Sequence, residues 1–406
     1  MGTITENKYP VDAIKDDEFV AGASDRLTCR VIKDVNEFNT IQCFWKEKTC
    51  FPYTDIEYYR NVIVNEPEFI KPYIIVLYKD EQPVTMVIGQ IVRAEFGLKA
   101  GYKVFLKANI TRLEILYRGI IGLKSEATIK KILLTLKRGL KEEKVDNIFI
   151  KFIDVSSNFA RITREFTNKF STDWLKVENP HWFLKTENSF EAYLSNRTRK
   201  QRSNIRRSHK KLEKELGIRN ISVLLYNKPD DIDIILQDIE SVASKTYQRA
   251  INVGGKLDNK TRTRTLFELQ NDWLHCWILY HKGRPIAYVT GIVYKDHFLG
   301  VSTGYLREYN SVNPGLYLVT ECVKYFHENE TLRFLDFGFG HAEYKKNYAS
   351  ILINERNINI YAQTLKGIYL LFGTLFNRSL ILLYHKCNDK IVWVRKLKRF
   401  WRKKLV

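Results

Sequence analysis

Five side chains able to move protons or hold charge fall within ten residues: Asp336, His341, Glu343, Tyr344 and Lys345. They follow the apolar pattern LRFLDFG (332–338), which reads as a strand, and α/β sites collect at the C-terminal ends of strands. Acid–base work near neutral pH suits His341 as it stands, whereas Glu343 would need a raised pKa. Tyr344 can give a proton or a hydrogen bond, and Lys345 can polarise a carbonyl or hold a phosphate. Each also fits an ordinary structural part: Asp336 capping a turn, His341 in a surface loop, Tyr344 in the core.

Upstream, Asn313-Pro314-Gly315 stands where a strand pattern ends and a helical one begins. Proline suits a first helical position, and glycine lets the backbone approach a ligand closely. The exposed N–H groups and positive dipole end of such a helix suit a pyrophosphate, with Asn313, Gly315 and Leu316 as the anion-site residues. The alternative is a proline-initiated helix with no ligand. The helix RTRKQRSNIRRSHKKLEKEL (197–216) offers only Ile205, Leu212 and Leu216 for packing. Its remaining surface is a solvated charged face, or an anion funnel in which Arg199, Arg202 and Arg206 turn towards substrate. Nucleic acid ranks last as its partner, because the helix has no aromatic residue for stacking and no recognisable binding motif.

The charge is local. The 406-residue chain carries +20, with nine Lys/Arg against two acids over 195–215 and eleven against one over 366–406. Cys29, Cys43, Cys50, Cys276, Cys322 and Cys387 form no Cys-x-x-Cys pair. They predict no metal site and no dense disulfide framework, and read as thiols of a reduced, cytoplasmic compartment. The N-terminus lacks an apolar signal core, and GIYLLFGTLFNRSLILLY (367–384), interrupted by Asn377-Arg378, is short for a membrane span. IVWVRKLKRFWRKKLV (391–406) places Val394, Leu397, Trp401 and Leu405 on one face and Lys/Arg on the other. That is the pattern of a helix lying on an anionic membrane, or of one docked on the protein itself.

A repeat organises the chain. The hairpin patterns VLYKDEQPVTMVIGQIV (76–92) and ILYHKGRPIAYVTGIV (278–293) align Leu77, Tyr78, Pro83 and Gly89 with Leu279, Tyr280, Pro285 and Gly291 at one offset of 202. A strand pattern follows each (103–117 and 297–306), then a helical pattern (127–143 and 314–330), then an apolar strand (147–154 and 332–338). Strands are also expected at 27–33, 221–226 and 351–362, with helices at 34–48 and 230–247. Two mixed α/β domains are expected, each a central mixed sheet flanked by helices. The boundaries are 1–26 for an extension, 27–187 and 188–365 for the domains, and 366–406 for a basic amphipathic tail.

The second domain resembles the GNAT-superfamily acetyltransferases of the CelD/BcsL type, relatives of the FemAB peptidoglycan aminoacyltransferases. The resemblance covers 188–350 and rests on FEAYLSNRTRKQRSNIRRSHKKL (190–212), GRPIAYVTG (283–291) and NPGLYLVTECVKYF (313–326) running into LDFGFGHAEYKK (335–346). Asp336, Phe337, Gly340, Tyr344 and Lys345 match the family pattern, while His341 and Ala342 replace its acidic pair. The resemblance implies tandem GNAT-like domains, the first degenerate. It also implies an acetyl-CoA or other acyl-CoA co-substrate on Asn313, Gly315 and Leu316, and no metal. The activity implied is acyl transfer to an amine or hydroxyl of a small-molecule or saccharide acceptor, as in polysaccharide or cell-envelope biosynthesis. Such transfer needs a base for the nucleophile, a donor for the oxyanion and an acid for the leaving thiolate. Two other readings stand beside it: a FemAB-like aminoacyl transferase fed by charged tRNA, and a non-catalytic basic module for nucleic acid or anionic membrane.

Overall fold

A computed structural model describes residues 27–390 apart from 101–102, 169, 174, 176, 247–248, 250–257, 330–331 and 341. Its strands are β1 (Thr28–Ile32), β2 (Phe69–Lys79), β3 (Gln82–Ala100), β4 (Lys103–Gly122), β5 (Asn147–Asp154) and β6 (Asn179–Lys185). They continue as β7 (Ile221–Tyr226), β8 (Leu274–His281), β9 (Arg284–Tyr294), β10 (His297–Tyr305), β11 (Phe334–Phe339) and β12 (Ile351–Tyr361). Two compact units result. One holds the described chain up to Asn179 together with 354–387, and the other holds Pro180–Ile353.

Both units have the same topology. The first runs β1-β2-β3-β4-β5-β12 and the second β7-β8-β9-β10-β11-β6. In each, the first four strands are antiparallel, the fifth is parallel to the fourth, and a final antiparallel strand closes the sheet. The parallel steps need crossovers, and the helices Glu126–Glu142 and Pro314–Asn329 supply them. The repeat is visible residue by residue. Lys79↔Gln82 and His281↔Arg284 close the two hairpins, and both hairpins carry an irregularity at the aligned pairs Leu77/Tyr78 and Leu279/Tyr280. Left-handed backbone at Asp80 and Glu81, and at Lys282 and Gly283, makes both two-residue turns. The expected tandem of mixed sheets flanked by helices is therefore borne out.

Each sheet buries one face under its crossover helix. In the first unit Ile75, Leu77, Leu113 and Ile115 pack with Ile129, Ile132, Leu133 and Leu136, which recur at helical spacing. In the second, Trp277 and Phe298 meet Phe326 at ring separations of 5.2 and 4.5 Å, fixing the Pro314–Asn329 helix over β8 and β10. Two patterns differ from the sequence reading. The expected helix at 34–48 is a 3₁₀ turn, Val35–Thr40, followed by Gln42–Lys48, because Asp34 caps a tight turn at Asn36. Asn377-Arg378 does not interrupt the C-terminal helix, which runs from Leu365 to Lys390. By length and composition its Leu365–Leu383 part is apolar enough to cross a membrane.

Those two polar residues are satisfied by the first unit itself. Asn377 donates to the Gly97 carbonyl and accepts from the Lys99 N–H, both at 2.8 Å. Arg378 donates to Asp173 Oδ1 at 2.5 Å and to the Leu175 carbonyl at 2.6 Å. Burial, against the opposing pull of the Arg378 guanidinium, holds the Asp173 carboxyl up at about 6. A buried charge left alone is costly, so Arg378→Met should lower stability by about 3 kcal/mol. Adding Asp173→Asn should recover part of that loss. Thermal unfolding checks this, and a double variant less stable than the single would contradict it.

Candidate functional site

The site is built where β10 and β11 part. As parallel neighbours they pair only at His297↔Phe334, Phe298↔Leu335 and Leu299↔Asp336. Beyond that point β10 bulges against β9 between Gly300 and Ser302, and β11 bulges against β6 between Asp336 and Phe339. The result is a notch at the strands' C-terminal ends, open to a ligand that can take up backbone hydrogen bonds. Glycines floor it. A Cβ on Gly300 would lie 3.1 Å from the Asp336 carbonyl, and one on Gly338 would lie 3.9 Å from both the Gly300 carbonyl and Lys345 Nζ.

Asp336 holds the bend in β11. Its Oδ1 accepts from the Gly338 N–H at 2.6 Å and lies 2.6 Å from His181 Nε2 on β6. The His181 ring is buried between Phe183 and Phe339, at centroid distances of 4.2 and 4.1 Å. The turn that follows needs positive φ at Gly338 (72°) and Gly340 (98°). Gly340 is pinned on both sides: its N–H donates to the Pro180 carbonyl, and its own carbonyl accepts from Trp182 Nε1, each at 2.9 Å. His181 is the residue sequence reasoning missed. The available signal was the one ionisable side chain among the buried positions of the strand NPHWFLK.

Lys345 is buried and donates to the Phe339 carbonyl at 2.6 Å. Burial pushes its amine down to about 8, and the nearby Asp336 carboxylate acts in the opposite direction. A fraction of the amine is therefore neutral near physiological pH. Burial raises the Tyr344 phenol to about 12, so it remains a neutral hydrogen-bond donor beside Phe337. Glu343 opens the Glu343–Tyr348 helix, but its side chain lies outside the described residues, as does the whole of His341. The structure thus brings Asp336 and Lys345 together, and packs Tyr344 against Phe337 and the core.

A helix end stands over the same strands. The 3₁₀ turn Arg307–Val312 stops at Asn313, whose left-handed backbone (φ 51°, ψ 56°) redirects the chain into the Pro314–Asn329 helix. The Asn313 carbonyl accepts from the N–H groups of Leu316 and Tyr317. Pro314 has no N–H, and no hydrogen bond to the Gly315 N–H is found among the described residues. The Tyr305 ring lies beside Gly315, where a Cβ would sit 3.2 Å away. The Leu316 side chain packs against the core instead of facing outwards.

The basic helix Arg199–Leu216 packs along this helix through Ile205, Ser208 and Leu212, and His209 stacks on Tyr317 at 4.2 Å. Arg199 and Arg206 are exposed, whereas Arg202 donates to the carbonyls of Ser195 and Arg197 at its own helix start.

The first unit's counterpart is closed. There β4 and β5 pair from Arg112↔Asn147 to Ile115↔Ile150. Past that point Tyr117 meets Phe152 edge-on at 5.7 Å, and both Tyr117 and Arg118 donate to the buried Glu355 at 3.3 Å. The helix start is occupied too, since Ser125 Oγ accepts from the Thr128 N–H.

Comparison with known proteins bears on the second unit. Residues 199–346 match the family model described as Acetyltransferase (GNAT) domain. Among solved structures, FemX aligns over 85% of this chain and 100% of its own, at 10% identity and a TM-score of 0.56, a likeness of fold. A tandem GNAT protein from the clavulanic acid biosynthesis pathway covers 84% of this chain and 99% of its own, at 8% identity and a TM-score of 0.46. L-PGS from Bacillus licheniformis covers 86% and 98%, at 10% and 0.49. Comparison by sequence with curated proteins gave no match.

The Lys345 environment is directly measurable. In an NMR titration of ¹³Cε-labelled lysine, one amine should titrate near pH 8. Asp336→Asn removes the charge that favours the ammonium form, so that midpoint should move lower. An upward shift, or a midpoint in the ordinary lysine range, would contradict the arrangement.

Proposed function

We propose that this protein is an acyltransferase whose donor, an acyl-CoA, binds the second unit. The observation that carries the reading is the notch between β10 and β11 beside the free Pro314 helix start, within the stretch that matches the acetyltransferase domain. The Gly315 N–H and the positive helix end suit the donor's phosphates. The unpaired edges of β10 and β11 suit an extended amide-bearing arm, which can bond to them as an added strand would.

The chain's own residues divide the chemistry. Lys345 and Tyr344 offer donors to a carbonyl oxygen at the strand ends, which is where negative charge develops in acyl transfer. His341 or Glu343 serves as base, taking the acceptor's proton as the C–S bond gives way to a C–N or C–O bond, and coenzyme A leaves as a thiolate that takes a proton from Tyr344 or solvent. Asp336 and His181 keep the turn and Lys345 in place. The match of Asp336, Phe337, Gly340, Tyr344 and Lys345 to the CelD/BcsL pattern supports a saccharide or other small acceptor in envelope or polysaccharide synthesis. An acyl-CoA donor suits a cytoplasmic enzyme. The fold likeness to FemX favours a second reading, aminoacyl transfer from charged tRNA, with exposed Arg199 and Arg206 meeting the nucleic acid.

Calorimetry with acetyl-CoA separates these readings. One equivalent should bind, and Gly315→Glu, which crowds Tyr305 and sets a negative charge at the helix start, should weaken binding by about 10–100-fold. Its melting curve should stay unchanged. On a verified acceptor, loss of the base through His341→Ala or Glu343→Gln should cut turnover by ~10²–10⁴. Unaltered donor affinity in Gly315→Glu would overturn the donor site. Salt-sensitive binding of charged tRNA without acetyl-CoA binding would establish the second reading.

A further inference from the structure

We propose that the outer face of the Leu365–Lys390 helix seats the protein on an anionic lipid surface. The helix is two-sided. Leu370 and Leu371 are buried with Ile110 and Tyr361, and Gly373 sits against Phe96 and Leu98. Asn377 and Arg378 point the same way, tied to Gly97, Lys99 and Asp173. The opposite side carries Leu365, Ile368, Tyr369, Phe372, Phe376 and Leu383, which fall within one stripe at 100° per residue. Leu365 is 89%, Phe372 63%, Phe376 51% and Leu383 56% exposed. Between Leu365 and Leu383 no charged residue lies in that stripe.

An outward apolar ridge along a 19-residue stretch of helix, about 28 Å long, is far more than scattered surface leucines. Its composition would permit a span, yet the polar residues at its middle are bonded to the first unit, which holds the helix lengthwise. That is the geometry of an interfacial helix. At the end of the β3–β4 hairpin, Phe105 and Leu106 are also exposed, with exposed Lys99 and Lys107 nearby.

Charge selects the occupant. The sequence from 366 to 406 holds eleven Lys/Arg and one acid, and its last sixteen residues hold seven Lys/Arg and no acid. A two-fold dimer through this face would bring two such segments together and repel. An anionic bilayer attracts them and buries the ridge.

The test is flotation of the full chain with vesicles of phosphatidylcholine, alone or mixed with phosphatidylglycerol. Binding to the mixed vesicles is expected, with much weaker binding to the neutral ones. Phe372→Asp/Phe376→Asp should weaken it by tenfold or more, roughly what two buried rings contribute, while the melting temperature holds. Should the charged pair disturb folding, Phe372→Ala/Phe376→Ala removes the rings without adding charge and should weaken binding in the same direction. No binding, equal binding by folded variants, or equal binding to neutral vesicles would overturn the proposal. So would a concentration-dependent dimer in solution that either variant abolishes, since the face would then belong to a second copy.

Discussion

The buried hydrogen bond between His181 and Asp336 is the interaction on which the second unit's site depends. Parallel neighbours ordinarily pair along their shared length, yet β10 and β11 stop after three residues. At the third, the Asp336 side chain takes the Gly338 N–H and His181 together, and the chain turns through two glycines with positive φ. With the bend fixed from β6, β10 and β11 cannot close. The backbone edges stay open, Lys345 finds the Phe339 carbonyl, and the Pro314 helix starts with a free amide. The arrangement is costly in isolation, since it leaves strand edges unpaired and an amine desolvated. A bound extended ligand and an acid–base role are what such costs commonly serve.

The first unit shows what happens when the same architecture is not kept open. Its strand order, hairpin register and even the hairpin irregularity repeat those of the second unit. Yet Tyr117, Phe152 and Arg118–Glu355 occupy the corresponding parting of strands, and Ser125 caps the corresponding helix. Left-handed backbone at Arg118 and Phe152 marks the strain of that filling. The two sheets share one design, and local side chains make the difference at the parting of their strands.

Much of this was legible in the sequence, and what was not has identifiable physical causes. Two-residue turns after alternating apolar strands are local signals, so both hairpins and the 202-residue offset could be read directly. The crossover helices were equally clear from their apolar spacing. The pairing of Asp336 with Lys345 was recognisable because the two are close in sequence. His181 was not, because its partner lies 155 residues away and only the sheet brings them together. Asn377-Arg378 read as an interruption because an isolated helix would expose them, whereas Asp173 and the β3 backbone satisfy both. The filling of the first unit's gap also escaped, since Tyr117 and Glu355 meet across 238 positions.

The central claim is that the parted strands of the second unit, and not those of the first, receive the acyl donor. Amide hydrogen exchange with and without acetyl-CoA tests it most directly, because it reads both units in one molecule. The account predicts slowed exchange over 300–305, 315–317 and 337–340, with 116–124 and 150–154 unchanged. Protection of the first-unit segments, or saturating donor with no protection of the second, would contradict it.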